Sequence, residues 1–311
     1  MKKRKPNSVE RVLTWIAAVI VLGGLGLLMW PNPAPQHPPI SVKVEQPPEA
    51  PQEAAAPPVG DEKAQPQAAS VAEAALPPRP AVIPRAPGGK PMIAIVIDDM
   101  GLDLKGSQRA TELPGYVTLS FMPYATRLRE QTKDARAQGH ELLLHMPMEP
   151  MGHDDPGPGA LLVGLPPDEL RQRFDTALAS FVGFDGVNNH MGSKFTADPA
   201  GMEIVIGELQ QRNLFFLDSR TNAKTVGEST ARQHGLPAIS RDVFLDDDIN
   251  LKAVNAQLER TEYVARRKGY AVAIGHPHAI TLEALAAWLP EAEKRGFVFV
   301  PVRNLVSSHA E

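Results

Sequence analysis

Ile93-Ala94-Ile95-Val96-Ile97-Asp98-Asp99-Met100-Gly101 is an unbroken apolar run that ends in two adjacent acids, a methionine and a glycine. A run of that length without polar alternation fits a strand covered on both faces, as in a parallel sheet, better than a strand with one wet face. Side-by-side carboxylates repel, and each raises the other's affinity for protons. At the end of a buried strand such a pair is useful if it binds a metal ion or moves a proton. The competing reading is a pair of helix-capping acids, with Met100-Gly101 opening a loop.

Downstream, short apolar runs alternate with amphipathic stretches. Strands are predicted over 92–97, 117–122, 141–144, 186–188, 214–217, 243–245, 271–274 and 298–302, and helices over 126–138, 168–181, 201–212, 251–268 and 282–294. Gly139, Gly269 and Gly296 stand where helices should end before the next strand, as left-handed C-caps do. Strands alternating with helices of this length predict an α/β fold with a parallel sheet, and the number of repeats favours closure into a barrel. An open doubly wound sheet is the second choice. No G-x-G-x-x-G follows the first strand, which counts against a dinucleotide-binding version.

The polar residues of this pattern fall at strand ends. Asp98 and Asp99 follow the first strand, His145 the third and Asn188-Asn189-His190 the fourth. Asp218, Asp246-Asp247-Asp248 and His276 follow later ones. In a (β/α) barrel all of these converge on the C-terminal face, where such folds place their chemistry. One Asp or His at a strand end is usually a cap, but a whole ring of them is hard to attribute to capping. One Asp and two His suit a zinc-type site with a position left open for water. A metal makes bound water a usable nucleophile near neutral pH, with a neighbouring carboxylate as base and a histidine as acid. Taken alone, His145 before Pro147 reads as a packed core histidine, whereas His190, between Asn189 and Gly192-Ser193, reads as functional.

The rest of the chain is of a different kind. Residues 1–11 carry the basic cluster Met1-Lys2-Lys3-Arg4-Lys5. Residues 12–30 (Val12 to Trp30) are free of charge, long enough to cross a bilayer, with Trp15 and Trp30 towards the two ends. The basic cluster predicts a cytoplasmic N-terminus and an exported remainder, in the periplasm. An uncleaved single-pass anchor fits better than a cleaved leader, because Pro31-Asn32-Pro33 is a poor cleavage site. Residues 31–90 hold 16 of the 31 prolines, a composition that cannot bury a core and predicts a disordered, semi-stiff linker. Residues 91–306 are left for the barrel domain. The chain has no cysteine, which excludes disulfides and thiolate metal sites. A net charge of −4 and no basic patch interleaved with aromatics argue against nucleic acid as a partner.

The segment Ile97 to Gly101 resembles the opening motif of metal-dependent polysaccharide deacetylases. His145-Met146-Pro147-Met148-Glu149-Pro150, Asn189-His190-Met191-Gly192-Ser193, Leu217-Asp218-Ser219-Arg220-Thr221 and Gly275-His276-Pro277-His278 extend the match. Together they resemble the divergent polysaccharide deacetylase family, from about Met92 to Leu305. The resemblance implies a deformed (β/α) barrel, here of about seven strands, and hydrolysis of N-acetyl groups on cell-envelope glycans. It implies Asp98 as general base, Asp99 as a ligand of a divalent metal with zinc preferred, and His145 as the first histidine of a His-x-x-x-His motif. Glu149 stands where the second histidine belongs. Either His190 is the third ligand, or Glu149 coordinates through oxygen, or the site is altered and the protein is a glycan-binding, envelope-organising one. His190 is the preferred ligand, because imidazole suits zinc and Pro147 can redirect the chain. His276 matches the histidine that protonates the leaving amine. Asp218, Arg220 and Asn189 are expected to orient substrate or support the ligands. His140 is expected on the opposite face in a structural role, and His153, Asp154 and Asp155 in a solvated loop.

Overall fold

The computed structural model describes residues 89–307, all within the second of the chain's two units, Lys63–Glu311. The predicted anchor and nearly all of the predicted linker lie outside the described residues. Among the described residues no helix is long and apolar enough to cross a membrane.

In chain order the elements are β1 (Met92–Met100), α1 (Leu104–Ala110), β2 (Thr118–Phe121), α2 (Leu128–Ala137), β3 (Leu142–Met148), α3 (Pro167–Leu178) and β4 (Gly186–Met191). A 3-10 turn (Phe195–Ala197) leads to α4 (Pro199–Gln211), β5 (Phe215–Asp218), α5 (Gly227–Gln233), β6 (Ala238–Ser240) and β7 (Val243–Phe244). The chain ends with α6 (Leu251–Lys268), β8 (Tyr270–Gly275), α7 (Ala279–Lys294), β9 (Val298–Phe299) and α8 (Val302–Ser307). All strands pair in parallel, in the order β6-β5-β4-β3-β2-β1-β8-β7, with β9 also beside β1. The order runs round without the reversal that defines a doubly wound sheet.

Its two ends meet on one stretch of chain. Ala238–Ser240 pairs with β5 and Val243–Phe244 with β8. Between them Arg241 N donates to Asp218 O and Asp242 N to Val272 O, each at the distance of a ladder bond, 2.9 and 2.8 Å. Counting that stretch once and setting β9 aside turns the nine strands into seven staves. The barrel is deformed because one stave divides itself between two neighbours.

Side-chain alternation splits the core in two. Ile93, Ile95 and Ile97 of β1 face outward into a large cluster with the helices. Ala94 and Val96 face inward with Leu143, Phe215, Leu217, Ile239, Val272 and Ile274. Val300, Val302, Leu305 and Val306 plug this inner cluster at the N-terminal ends of the strands. The predicted strand 298–302 is therefore corrected: pairing stops at Phe299, because Pro301 has no N–H to give and Val302 starts α8. Four elements escaped the sequence reading, namely β6, α1, α5 and α8. All are short, and α1 has no apolar stripe: it is held by Asp103, whose carboxylate accepts from Lys105 N and Gly106 N at 3.0 and 3.1 Å. Gly139, Gly269 and Gly296 adopt φ of 89°, 88° and 94° at the helix ends where they were expected.

Candidate metal centre

Inward alternation carries straight into the site. Two residues past Val96 comes Asp98, two past Leu143 comes His145, and two past Ile274 comes His276. On β4 the inward positions are Asn188 and His190. By the same rule Asp99 should point away. A bulge between Ile97 and Met100 in the β1–β2 register and a left-handed φ of 56° at Asp99 bring it back. Holding a non-glycine residue there costs about 1–3 kcal/mol, and such strain gathers at functional sites. Two adjacent acids thus reach one place only because the strand breaks its own alternation.

Asp99 Oδ1 lies 2.9 Å from His190 Nδ1 and 3.3 Å from His145 Nε2, and those two nitrogens are 3.3 Å apart. Although buried, Asp99 Oδ1 accepts no aligned hydrogen bond. Three ligand atoms this close, with only a long 3.3 Å contact between the two imidazoles and no aligned hydrogen bond to the carboxylate oxygen, fit a shared cation: ligands about 2.0–2.2 Å from a tetrahedral zinc ion stand roughly 3.3–3.5 Å apart. The residues present fit such a group. A second trio, Asp246, His276 and His278, also brings ligand atoms within 4.8 Å of one another. There, however, Asp246 and His276 are already hydrogen-bonded to each other.

Asn188 ties the site together from the barrel interior. Its Oδ1 accepts from His145 Nδ1 at 2.9 Å and from Ser120 Oγ at 2.5 Å. Its Nδ2 donates to both Asp98 oxygens, at 2.9 and 3.1 Å. The first bond leaves the lone pair of a neutral His145 on Nε2, towards Asp99, as a metal ligand requires. Burial raises the Asp98 pKa, helped by neighbouring Asp99, and His145, His276 and Asn188 do not fully offset it. Asp99 goes the other way. Burial raises its pKa too, but the two imidazoles outweigh this and hold it well below the usual carboxylate range. For His145, burial disfavours the cation, yet Asp98 and Asp99 raise its pKa. A field that draws a proton onto His145 would also draw a metal ion.

His276 stands across the cavity. Its Nδ1 donates to Asp246 Oδ1 at 2.9 Å and its backbone N to Asp246 Oδ2 at 2.7 Å. Thr281 Oγ1 donates to the same Oδ2 at 2.8 Å. This leaves Nε2 facing the centre, 3.9 Å from Asp99 Oδ2. Burial lowers the His276 pKa, but the bond to Asp246 and the charges of Asp246, Asp98 and Asp99 raise it to about 9. His278 is exposed and precedes α7.

Other residues singled out in the sequence lie outside the ligand trio. Glu149 is not at the centre: its Oε1 meets Lys194 Nζ at 2.5 Å and its Oε2 accepts from Val163 N at 2.7 Å. Asp218 faces outward, accepting from Thr225 Oγ1 and Arg220 N at 2.8 and 2.9 Å, so it supports the loop that carries Arg220. Asn189 stays at the cavity lining and braces the neighbouring loop, accepting from Ser219 N at 2.9 Å and donating to Met191 O at 2.7 Å. His140 is buried between Val117 O and Thr111 O at 2.8 and 3.1 Å, a structural role.

A cavity of about 420 Å³ opens over the centre, reaching from Asp98, His145 and His190 to Arg220, Arg241 and His276. Asn188, Asp246 and Arg241 were not picked out as site residues in the sequence. For Asn188 a signal existed, since it shares the parity of His190 and Asn189 does not. For Asp246 the signal was an acidic run at a strand end, which left open which of Asp246, Asp247 and Asp248 turns inward; for Arg241 there was none, because it depends on where the divided stave runs.

Comparison with known proteins supports the family reading. A model of the divergent polysaccharide deacetylase family matches residues 95–306. The chain belongs to this family. An uncharacterised Haemophilus influenzae protein is 38% identical over 197 residues, which cover 63% of this chain and 70% of its own length. YibQ of Escherichia coli, also uncharacterised, is 36% identical over 193 residues, 62% of this chain and 60% of its own length. A crystal structure of an uncharacterised protein from Agrobacterium tumefaciens superposes with a TM-score of 0.70 at 32% identity, over 72% of this chain and 92% of that one. The deacetylase-family match spans β1 to α8, and so includes every residue of the centre.

Proposed function

We propose that this protein is a metal-dependent hydrolase that removes N-acetyl groups from a cell-envelope glycan. The convergence of Asp99 Oδ1, His145 Nε2 and His190 Nδ1 within 3.3 Å of one another carries the reading. These three would hold a divalent cation, zinc by preference for one carboxylate and two imidazoles. Once bound, the ion would acidify water and polarise the amide carbonyl. Asp98, its proton affinity raised by burial, accepts the proton of the attacking water, and Asn188 holds both its oxygens in place. His276, oriented by Asp246, donates a proton from Nε2 to the leaving nitrogen. Asn188 and Ser120 fix the His145 ring so that only Nε2 faces the ligands.

The basic start and the charge-free run at 12–30 support tethering of the domain to the inner membrane on the exported side, near such glycans.

Two measurements on the purified protein test the reading. One zinc ion per chain and acetate release from N-acetylated glycan are expected. His190→Ala should lose the metal and Glu149→Gln should keep it. Stoichiometric metal without acetate from any N-acetylated glycan would leave a glycan-binding module. Metal lost with Glu149→Gln and kept with His190→Ala would overturn the ligand set.

A further inference from the structure

The cavity lining combines two unlike sets: Asp98 with His145, His190 and His276, and the arginines Arg220 and Arg241. The backbone around Arg220 is pinned on both sides. Arg220 N donates to Asp218 Oδ1 at 2.9 Å, and Arg220 O accepts from Arg241 Nη2 at 2.9 Å. Ser219 O accepts from Arg241 Nε at 2.6 Å, and Thr221 Oγ1 donates to Met191 O at 2.8 Å. Arg220 itself is left-handed, with φ of 48°, a conformation an L-residue avoids unless its surroundings impose it. The result is a rigid, strained platform that presents the Arg220 side chain to solvent. A solvated surface arginine needs no such support.

Neither guanidinium is in contact with a carboxylate, although Asp98, Asp218 and Asp247 act on Arg241 from farther off. Among the described residues, no carboxylate lies within 4.0 Å of Arg220 or Arg241. Asp247, which lines the same cavity, is also beyond that distance. Other arginines that pack against the barrel are paired, as Arg303 Nη1 is with Asp185 at 3.2 Å and Arg212 Nη1 with Glu208 at 2.6 Å. Arg241 is half-buried, with its guanidinium 5.0 Å over the Phe244 ring, so packing and its bonds to Ser219 O and Arg220 O hold this charge beside the Arg220 backbone. Two adjacent cations at the mouth of a cavity suit an incoming anion, and the planar fork of Arg matches a carboxylate or phosphate with two hydrogen bonds.

We propose that Arg220, backed by Arg241, is a specificity element that selects glycans carrying a carboxylate or phosphate next to the N-acetyl group. The inference rests on the glycan reading of the site above and names its substrate class. Arg220 lies two residues beyond the end of β5, which pairs with β4, the strand of His190. Neighbouring strands are about 4.8 Å apart, so the anionic group belongs on the reacting sugar or the next one.

Calorimetric binding to the full-length protein tests this with three N-acetylated tetrasaccharides of equal length: neutral chitin tetraose, one with ether-linked carboxyl groups on alternate sugars, and one bearing a phosphate. At low salt an anionic glycan should bind at least about tenfold tighter than the neutral one, with the gap narrowing as salt is raised. Arg220→Gln should close most of the gap and Arg220→Lys should restore part of it. The carboxylate and phosphate arms show which anion is preferred. Equal affinity for charged and neutral glycans, or an equal loss for both in Arg220→Gln, would overturn the proposal. Acetate release measured in parallel separates the two ideas. Release without discrimination ends the anion inference alone, and discrimination without release ends the deacetylation reading alone.

Discussion

The two ends of the barrel both bury charged groups, and they treat them in opposite ways. From Glu141, just before β3, the inward positions run Glu141, Leu143, His145: an acid at the bottom, a leucine in the middle, an imidazole at the top. At the bottom acids and arginines are paired with one another, although Asp185 Oδ2, Arg136 Nε and Arg303 Nε make no aligned hydrogen bond. Glu141 accepts from Thr118 Oγ1 at 2.8 Å and from Arg303 N at 3.2 Å. Asp185 lies 3.2 Å from Arg303 and 3.6 Å from buried Arg136, and α8 closes the end. At the top the charges are left incomplete. Asp99 Oδ1 has no aligned donor, two arginines have no carboxylate within ion-pair distance, and a cavity of about 420 Å³ stands open above them. Buried charge paired with opposite charge and closed off from solvent belongs to the fold, whereas ionisable groups gathered beneath an open cavity mark a site.

The comparison can be broken in four places. The largest effect belongs to the top. Asp98→Asn should reduce acetate release about a thousandfold while zinc stoichiometry and folding stay intact. Acetate release at the wild-type rate would remove Asp98 from the chemistry. At the bottom, Arg303→Ala should have no catalytic signature but should cost about 2–3 kcal/mol in urea unfolding, because buried acids lose their cation. A stability change within error would mean that α8 does not secure that end. Asn188→Ala should weaken zinc binding about 10–100-fold in a competition titration, since His145 loses the bond that orients it. Unchanged affinity would show the ring is held by packing alone.

The fourth effect is on the shape of a pH curve. Burial, with Asp185 nearby, pushes the Glu141 pKa to about 8 from its ordinary 4.5, despite Thr118 and Arg303. The folded state therefore binds a proton that the unfolded state has lost between those values, and stability should fall as pH rises from about 4.5 to about 8. Glu141→Gln should flatten that decline in a series of thermal melts. An identical decline in wild type and variant would place its origin elsewhere.

Much of this was legible without coordinates. The parallel barrel follows from apolar runs alternating with capped helices, since only a sheet covered on both faces tolerates such strands. The ring of polar strand ends follows because those residues close each run. Asp98, His145 and His276 could be placed on one face by counting in twos from the inner core positions. What counting could not deliver was Asp99, whose arrival depends on a bulge, or Asp246 and Arg241, which depend on one stave leaving β5 for β8. Glu149 against His190 was likewise beyond the sequence: both carry suitable donors, and only packing shows Glu149 turned to Lys194.

The sequence by itself determined the fold class, the face that carries chemistry and the residue types available there, because alternation and capping are local rules. Only the tertiary structure decided which of those residues meet, which charges are answered and which wait for a ligand. Those outcomes depend on strand register, on one strained residue at the end of β1 and on the closure of the barrel, all of which depend on distant parts of the chain at once.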